Sequence, residues 1–219
     1  MEPSKADEAP KVTPKIRKKK LRVVRKIIEI KDEVWCQCVK WATTRPNRKL
    51  VKTETQTVGK QRQEKEAEEK AWGNKMIGQE GNGNWTTKLG EGLTFHLLEL
   101  LGKNPRKPNQ EICKSSGLHP DWETDDAIYE VKTSNWWVGG TAGEKVLGTA
   151  IKYRHVPKLF GKPLYIVCLA NQEDELRYGK TRFFGDEVDQ EVKDYLALIK
   201  KWNIEYIALS DMLKDFSCK

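Results

Sequence analysis

Between residues 118 and 137 the chain reads LHPDWETDDAIYEVKTSNWW, and Asp121, Glu130 and Lys132 in this stretch have types and spacing suited to chemistry on a phosphodiester. Asp125 and Asp126 are turn formers, so TrpGluThr before them and AlaIleTyrGluValLysThr after them read as adjacent antiparallel strands. Side chains alternate along a strand, which puts Ile128, Glu130 and Lys132 on one face and Tyr129, Val131 and Thr133 on the other. A carboxylate and an ammonium therefore emerge side by side, where an aspartate from the preceding strand can join them.

A phosphodiester is anionic and repels hydroxide. A hard cation held by carboxylates binds the phosphate, lowers the pKa of a coordinated water and stabilises the leaving oxygen. In this reading Asp121 and Glu130 ligate the metal, with the Val131 carbonyl as a third ligand, and magnesium is the expected ion, with manganese as a substitute. Lys132 orients or deprotonates the attacking water and offsets developing charge. Two alternatives stay open: Asp125 or Asp126 in place of Asp121, and an ordinary exposed ion-pair ladder on a hairpin.

The triplet of an acid, any residue and lysine carries no information alone, because it also begins at Glu29, Glu68 and Glu191. The copy at Glu130 differs in lying on an apolar strand, one hairpin after the only Pro-Asp among the nine prolines. Pro120-Asp121, eight residues, then Glu130-Val131-Lys132 resembles the PD-(D/E)XK nuclease superfamily, which includes many restriction endonucleases. The resemblance covers about residues 86–210. It implies an α/β fold, a restriction-endonuclease-like core with a central mixed sheet flanked by helices. It also implies a further catalytic acid on the first helix, matched by Glu91, and polar residues at the start of the helix after the motif, where Thr141, Glu144 and Lys145 stand.

The elements that must position these residues follow from periodicity. Thr86 or Thr87 can cap a helix ending near Leu101, with Leu89, Leu93, Leu97 and Leu100 as its apolar stripe and Glu91 off it. Strands are expected within 111–134, a helix around 143–156, a strand at 163–170, a helix at about 186–202 and a strand at 204–209. PLYIVCLA and IEYIALS are continuous apolar runs, as in strands covered on both faces. Trp136 and Trp137, beside Gly139, Gly140 and Gly143, read as core anchors or as platforms for stacking on bases.

Ahead of this nuclease-like region, 73–219, the runs LRVVRKIIEI, EVWCQCVKWATT and KLVKTETQTV predict a small antiparallel β region, followed by a charged helix at 59–70; together they occupy 21–72. GNKMIGQEGNGNW, 73–85, reads as a loop. Residues 1–20 form a basic tail with little to bury, expected to be disordered. Of the net charge of +8, residues 1–31 carry +7. Such an arm, including Lys18, Lys19, Lys20 and Arg22, neutralises DNA phosphates. The run KIRKKK at 15–20 also suits a nuclear or viral setting.

Without a long apolar run or a signal-peptide core, neither a membrane partner nor secretion is expected, and the protein reads as intracellular. Five cysteines are an odd number for a disulfide framework, so reduced thiols are expected. Cys36 and Cys38 fit one face of a strand rather than the start of a zinc site, and His96, His119 and His155 are scattered. The leading functional expectation is a magnesium-dependent endonuclease acting on double-stranded DNA, most like a type II restriction enzyme. Symmetric double-strand cleavage would call for a homodimer. A junction-resolvase-like repair nuclease and a non-catalytic DNA-binding protein on the same scaffold are the alternatives.

Overall fold

The computed structural model describes residues 28–30, 32–78, 84–138 and 142–218, with backbone only at 28–30 and 142–145. In chain order the elements are β1 (Ile28–Ile30), α1 (Glu33–Thr43), α2 (Val58–Met76), α3 (Trp85–Leu100), α4 (Gln110–Ser116), β2 (Trp122–Glu123) and β3 (Ile128–Ser134). They continue with α5 (Ala142–Lys152), α6 (Val156–Phe160), β4 (Leu164–Ala170), α7 (Asn171–Tyr178), α8 (Gln190–Lys201), β5 (Ile204–Ala208), α9 (Leu209–Met212) and β6 (Phe216–Cys218).

Four strands form a mixed sheet in the order β2-β3-β4-β5, with β2 antiparallel to β3 and the other neighbours parallel. The β3 to β4 connection passes through α5 and α6, and the β4 to β5 connection through α7 and α8, as parallel neighbours require. Glu130 stands opposite Ile166 and Lys132 opposite Cys168, so the motif strand lies inside the sheet. An isolated antiparallel bridge between Arg106 and Glu123 extends the sheet past β2.

The alternation of β3 and β4 feeds two apolar clusters. Tyr129, Val131, Val167 and Leu169 meet Cys38 and Ala42 of α1, Leu89, Leu93 and Leu97 of α3, and Leu209. Ile128, Ile166 and Cys168 on the opposite face meet Val146, Ala150, Val156, Leu176 and Ile199. The chain is thus α/β, with helices on both faces of a mixed sheet, and β4 is covered on both sides as its apolar run predicted. In β5, by contrast, Glu205 is exposed.

Several expectations fail. Glu33–Thr43 is a helix rather than a strand, because Asp32 caps the Trp35 N–H at 3.1 Å and a helical turn brings Trp35, Cys38 and Ala42 to one apolar face. Alternation over this segment fitted both periods, and burial against α3 and β4 selected the longer one. Residues 44–57 carry no regular element, and Ile28–Ile30 pairs in parallel with β6, so the described N-terminal region is not an antiparallel sheet. Cys36 and Cys38 consequently do not share a strand face. The expected loop at 73–85 begins later, since α2 runs to Met76.

Part of the expected strand region at 111–134 is helix α4, capped by Asn109 and stopped by Gly117 at a φ of 68°. The helix expected at 143–156 is two, α5 and α6, with Tyr153 in the turn between them. α7 was not anticipated at all: its sequence is polar, yet Asn171, Gln172, Glu173 and Asp174 are buried. In α3 the stripe holds at Leu89, Leu93 and Leu97, but Leu100 is exposed and Leu98 is buried in its place. The tail at 1–20 lies outside the described residues.

Candidate functional site

Pro120 is buried, and the Asp121 N–H donates to the Tyr129 carbonyl at 3.0 Å, which anchors the start of β2 on β3. That anchoring brings Asp121 Oδ2 within 2.6 Å of the Val131 N–H, which donates to it. A residue's N–H and C=O point to the same side of a strand, so the Val131 carbonyl faces this same edge. Glu130 and Lys132 project from the sheet face covered by α5 and α6. Glu130 is 4 % exposed. Its Oε1 accepts a hydrogen bond from Lys132 Nζ at 2.5 Å, whereas its Oε2 is buried with no hydrogen-bond partner.

The electrostatics follow from this packing. Burial, and then the Asp121 charge, push the Glu130 carboxyl up to about 7, against the opposing pull of Lys132 and the nearby Tyr153 hydroxyl. Burial also raises Asp121, opposed by the Val131 N–H and by Lys132 and Lys107. Glu91 is raised as well, by burial and by the charge of Asp121, with which it shares a side-chain hydrogen bond. Both members of this pair therefore hold a proton more tightly than an isolated carboxyl. Three neighbouring carboxyls therefore hold their protons more tightly than usual.

Glu91 reaches Asp121 because α3 lies unusually close to β3. A Cβ on Gly90 would stand 2.7 Å from Thr133 Cγ2, so only glycine permits that approach. Trp122 Nε1 donates to the Glu91 carbonyl at 3.0 Å and fixes the helix from the β2 side. Two further residues belong to the site and were not singled out from sequence. Tyr153 lies beside Glu130 and donates its hydroxyl to the His119 carbonyl at 3.3 Å. Lys107 Nζ stands 3.9 Å from the Trp122 ring centroid and 3.5 Å from the Asp121 carbonyl oxygen. Glycines flanking Glu91 inside a helical pattern were a legible signal for the first contact; nothing in the sequence linked Tyr153 or Lys107 to the motif.

The other candidates fall elsewhere. Asp125 and Asp126 sit in the exposed hairpin turn, paired with Arg106 at 2.7 Å and with Lys103, and the carboxylate that reaches the Val131 edge is that of Asp121. Lys145 and Glu144 are in the first turn of α5, and Thr141, Lys18, Lys19, Lys20 and Arg22 lie outside the described residues. His119 is exposed and contributes only its carbonyl.

Among the described residues no group of three or more His, Cys, Asp or Glu side chains could by itself hold a metal ion. The oxygens of Asp121 and Glu130 nonetheless suit a hard divalent cation, which commonly takes one or two carboxylates and completes its shell with water and substrate phosphate. The partnerless Oε2 of Glu130 fits such an ion. Among the described residues no helix is long and apolar enough to cross a membrane. No protein-family model, curated protein or solved structure matches this chain.

Proposed function

We propose that the protein is a magnesium-dependent DNA endonuclease of the PD-(D/E)XK type, most like a type II restriction enzyme in its core. The observation that carries this reading is the meeting of a buried acid, Glu130, with Lys132 on β3 and with the half-buried Asp121, bonded to the next residue's N–H and close enough to raise the Glu130 pKa. A structural ion-pair ladder would satisfy its acids and hold them ionised; here Glu130 Oε2 is left without a partner.

Magnesium, or manganese in its place, would supply a Lewis acid for the phosphate and an activated water when bound. Asp121 and Glu130 would hold it, with the Val131 carbonyl beside them. Lys132 then exchanges its contact with Glu130 for the attacking water or a phosphoryl oxygen and offsets charge as the phosphorus–oxygen bond breaks. Tyr153, its hydroxyl donated to the His119 carbonyl, would flank the Glu130 carboxylate, and Glu91 would hold Asp121 through their side-chain hydrogen bond. The basic arm with Lys18, Lys19, Lys20 and Arg22, together with Thr141 and Lys145, would contact phosphates of double-stranded DNA. A homodimer would make both cuts, one site per strand.

Incubating supercoiled plasmid with the purified chain and magnesium tests this. Nicked or linear product is expected, abolished by a chelator and reduced at least a hundredfold by Glu130→Ala, on the order of what loss of one transition-state stabilising group costs. If a folded Glu130→Ala protein cuts at the unmutated rate, the reading is wrong.

A further inference from the structure

Six of the eight tryptophans join the two apolar clusters, but Trp136 and Trp137, immediately beyond β3, join neither. Trp136 is buried: its Nε1 donates to the Trp41 carbonyl at 2.8 Å and its backbone N–H to Glu69 at 3.0 Å, while the Arg48 guanidinium covers its ring at 5.3 Å. Trp137 is only half-buried, and among the described residues its ring stacks on no other aromatic ring. It lines a recess of about 200 Å³ together with Arg48, Leu50, Arg62, Val138 and Glu175.

The charges of this recess are unlike those of the neighbouring cleft beside α7. There Arg45, Arg177 and Lys214 are each paired with Asp174, Glu173 or Asp211. In the recess Arg62 is exposed and makes no ion pair among the described residues, and Arg48 Nε is buried with no hydrogen-bond partner while its other end contacts Asn171. A half-exposed indole beside one guanidinium without an ion pair, Arg62, and a second, Arg48, whose Nε lacks a partner although it packs on Trp136 and near Glu175, suits a base and its phosphate. Because the recess holds only about 200 Å³, a base must leave its helical stack to enter.

We propose that this recess is a nucleotide subsite for an unpaired stretch of DNA, with the base against Trp137 and the adjoining phosphate between Arg48 and Arg62. It rests on the nuclease reading for its relation to the cut. Trp137 follows Lys132 by five positions, so their Cα atoms lie at most roughly 18 Å apart. With the reach of the two side chains added, and a DNA strand rising about 3.4 Å per nucleotide, the subsite lies within about ten nucleotides of the bond cleaved at Lys132. The substrate it selects is duplex DNA with a single-stranded branch or flap close to the cut.

Binding of fluorescein-labelled oligothymidylate to the full chain, in chelator so that nothing is cleaved, tests the subsite separately from the chemistry. Trp137→Ala should weaken binding about tenfold, with recovery in Trp137→Phe. Arg62→Ala, an exposed change that leaves the fold intact, should reduce the salt slope by about one phosphate contact. Fully paired DNA should lose little affinity with either change, and a flapped duplex should be cut faster than a plain one. Unchanged oligothymidylate binding in both alanine variants would overturn the subsite while leaving cleavage by Glu130 standing. An equal loss of affinity for fully paired DNA, or the same dependence with oligouridylate in preference to DNA, would overturn its assignment to unpaired DNA. If Glu130→Ala still cleaves, the nuclease reading fails, whereas binding that depends on Trp137 would still support the subsite.

Discussion

Glu130 on β3 and Glu173 on α7 are both buried acids, 4 % and 6 % exposed, and their surroundings could hardly differ more. Glu173 accepts hydrogen bonds from the Ser210 N–H at 3.1 Å, from the Ser210 hydroxyl and from Arg177 at 3.2 Å, so both its oxygens are engaged. Glu130 has one oxygen against Lys132 and the other unpartnered, with a second carboxyl close enough to raise its pKa. A buried carboxylate whose lone pairs are satisfied holds two elements together. One left incomplete stores a preference for a cation or a proton that the resting protein does not meet.

The sharpest way to break this contrast is to exchange the two losses. Glu130→Gln should remove plasmid cleavage by at least about a hundredfold, yet leave the urea midpoint unchanged or higher, because it relieves a repulsive buried charge. Glu173→Ala should do the reverse: cleavage at low temperature survives, while stability falls by about 3 kcal/mol as Arg177 and Ser210 lose their acceptor. Equal destabilisation by both variants would mean that Glu130 is structural.

The second test uses pH. A carboxyl raised from its ordinary 4.5 to about 7 binds its proton more tightly in the folded than in the unfolded chain. Its contribution to stability therefore declines as pH rises between about 4.5 and 7, by at most about 1.4 kcal/mol per pH unit, and is flat outside that window. Unfolding in urea across this range should show a less negative slope for Glu130→Gln than for the unmutated chain, other carboxyls cancelling in the difference. Identical slopes would remove the argument that Glu130 is held short of ionisation. Saturating magnesium should also flatten the slope, since an ion held by the carboxylates displaces the proton.

The smallest expected effect lies at the α3 contact. Gly90→Ala adds a Cβ 2.7 Å from Thr133 Cγ2, so helix and strand must separate slightly, at a cost of about 1–2 kcal/mol. Glu91 would then lose its hold on Asp121, and cleavage should fall several-fold more than stability accounts for. Thr133→Ser in the same background, which removes the clashing methyl, should restore part of both; no recovery would separate Glu91 from the site.

The sequence by itself determined the motif strand, the hairpin before it, the apolar strands β4 and β5 and the helices α2, α3 and α8, because each of these segments carries one local signal: a period, a turn, a continuous apolar run or, in α2, a run of helix formers. It did not determine α1, where alternation and helical spacing coincide over VWCQCVKWAT, or α7, whose buried acids make sense only beside Arg177 and Ser210. In the site, the pairing of Glu130 with Lys132 was legible because a strand's alternation is local. Asp121 was one of three open choices, and it stands out from Asp125 and Asp126 once the ladder between β2 and β3 aims it at the Val131 N–H. Tyr153, Lys107 and the recess at Trp137 came from tertiary structure alone. Their partners lie tens of residues away, and only the packing of helices on the sheet closes that distance.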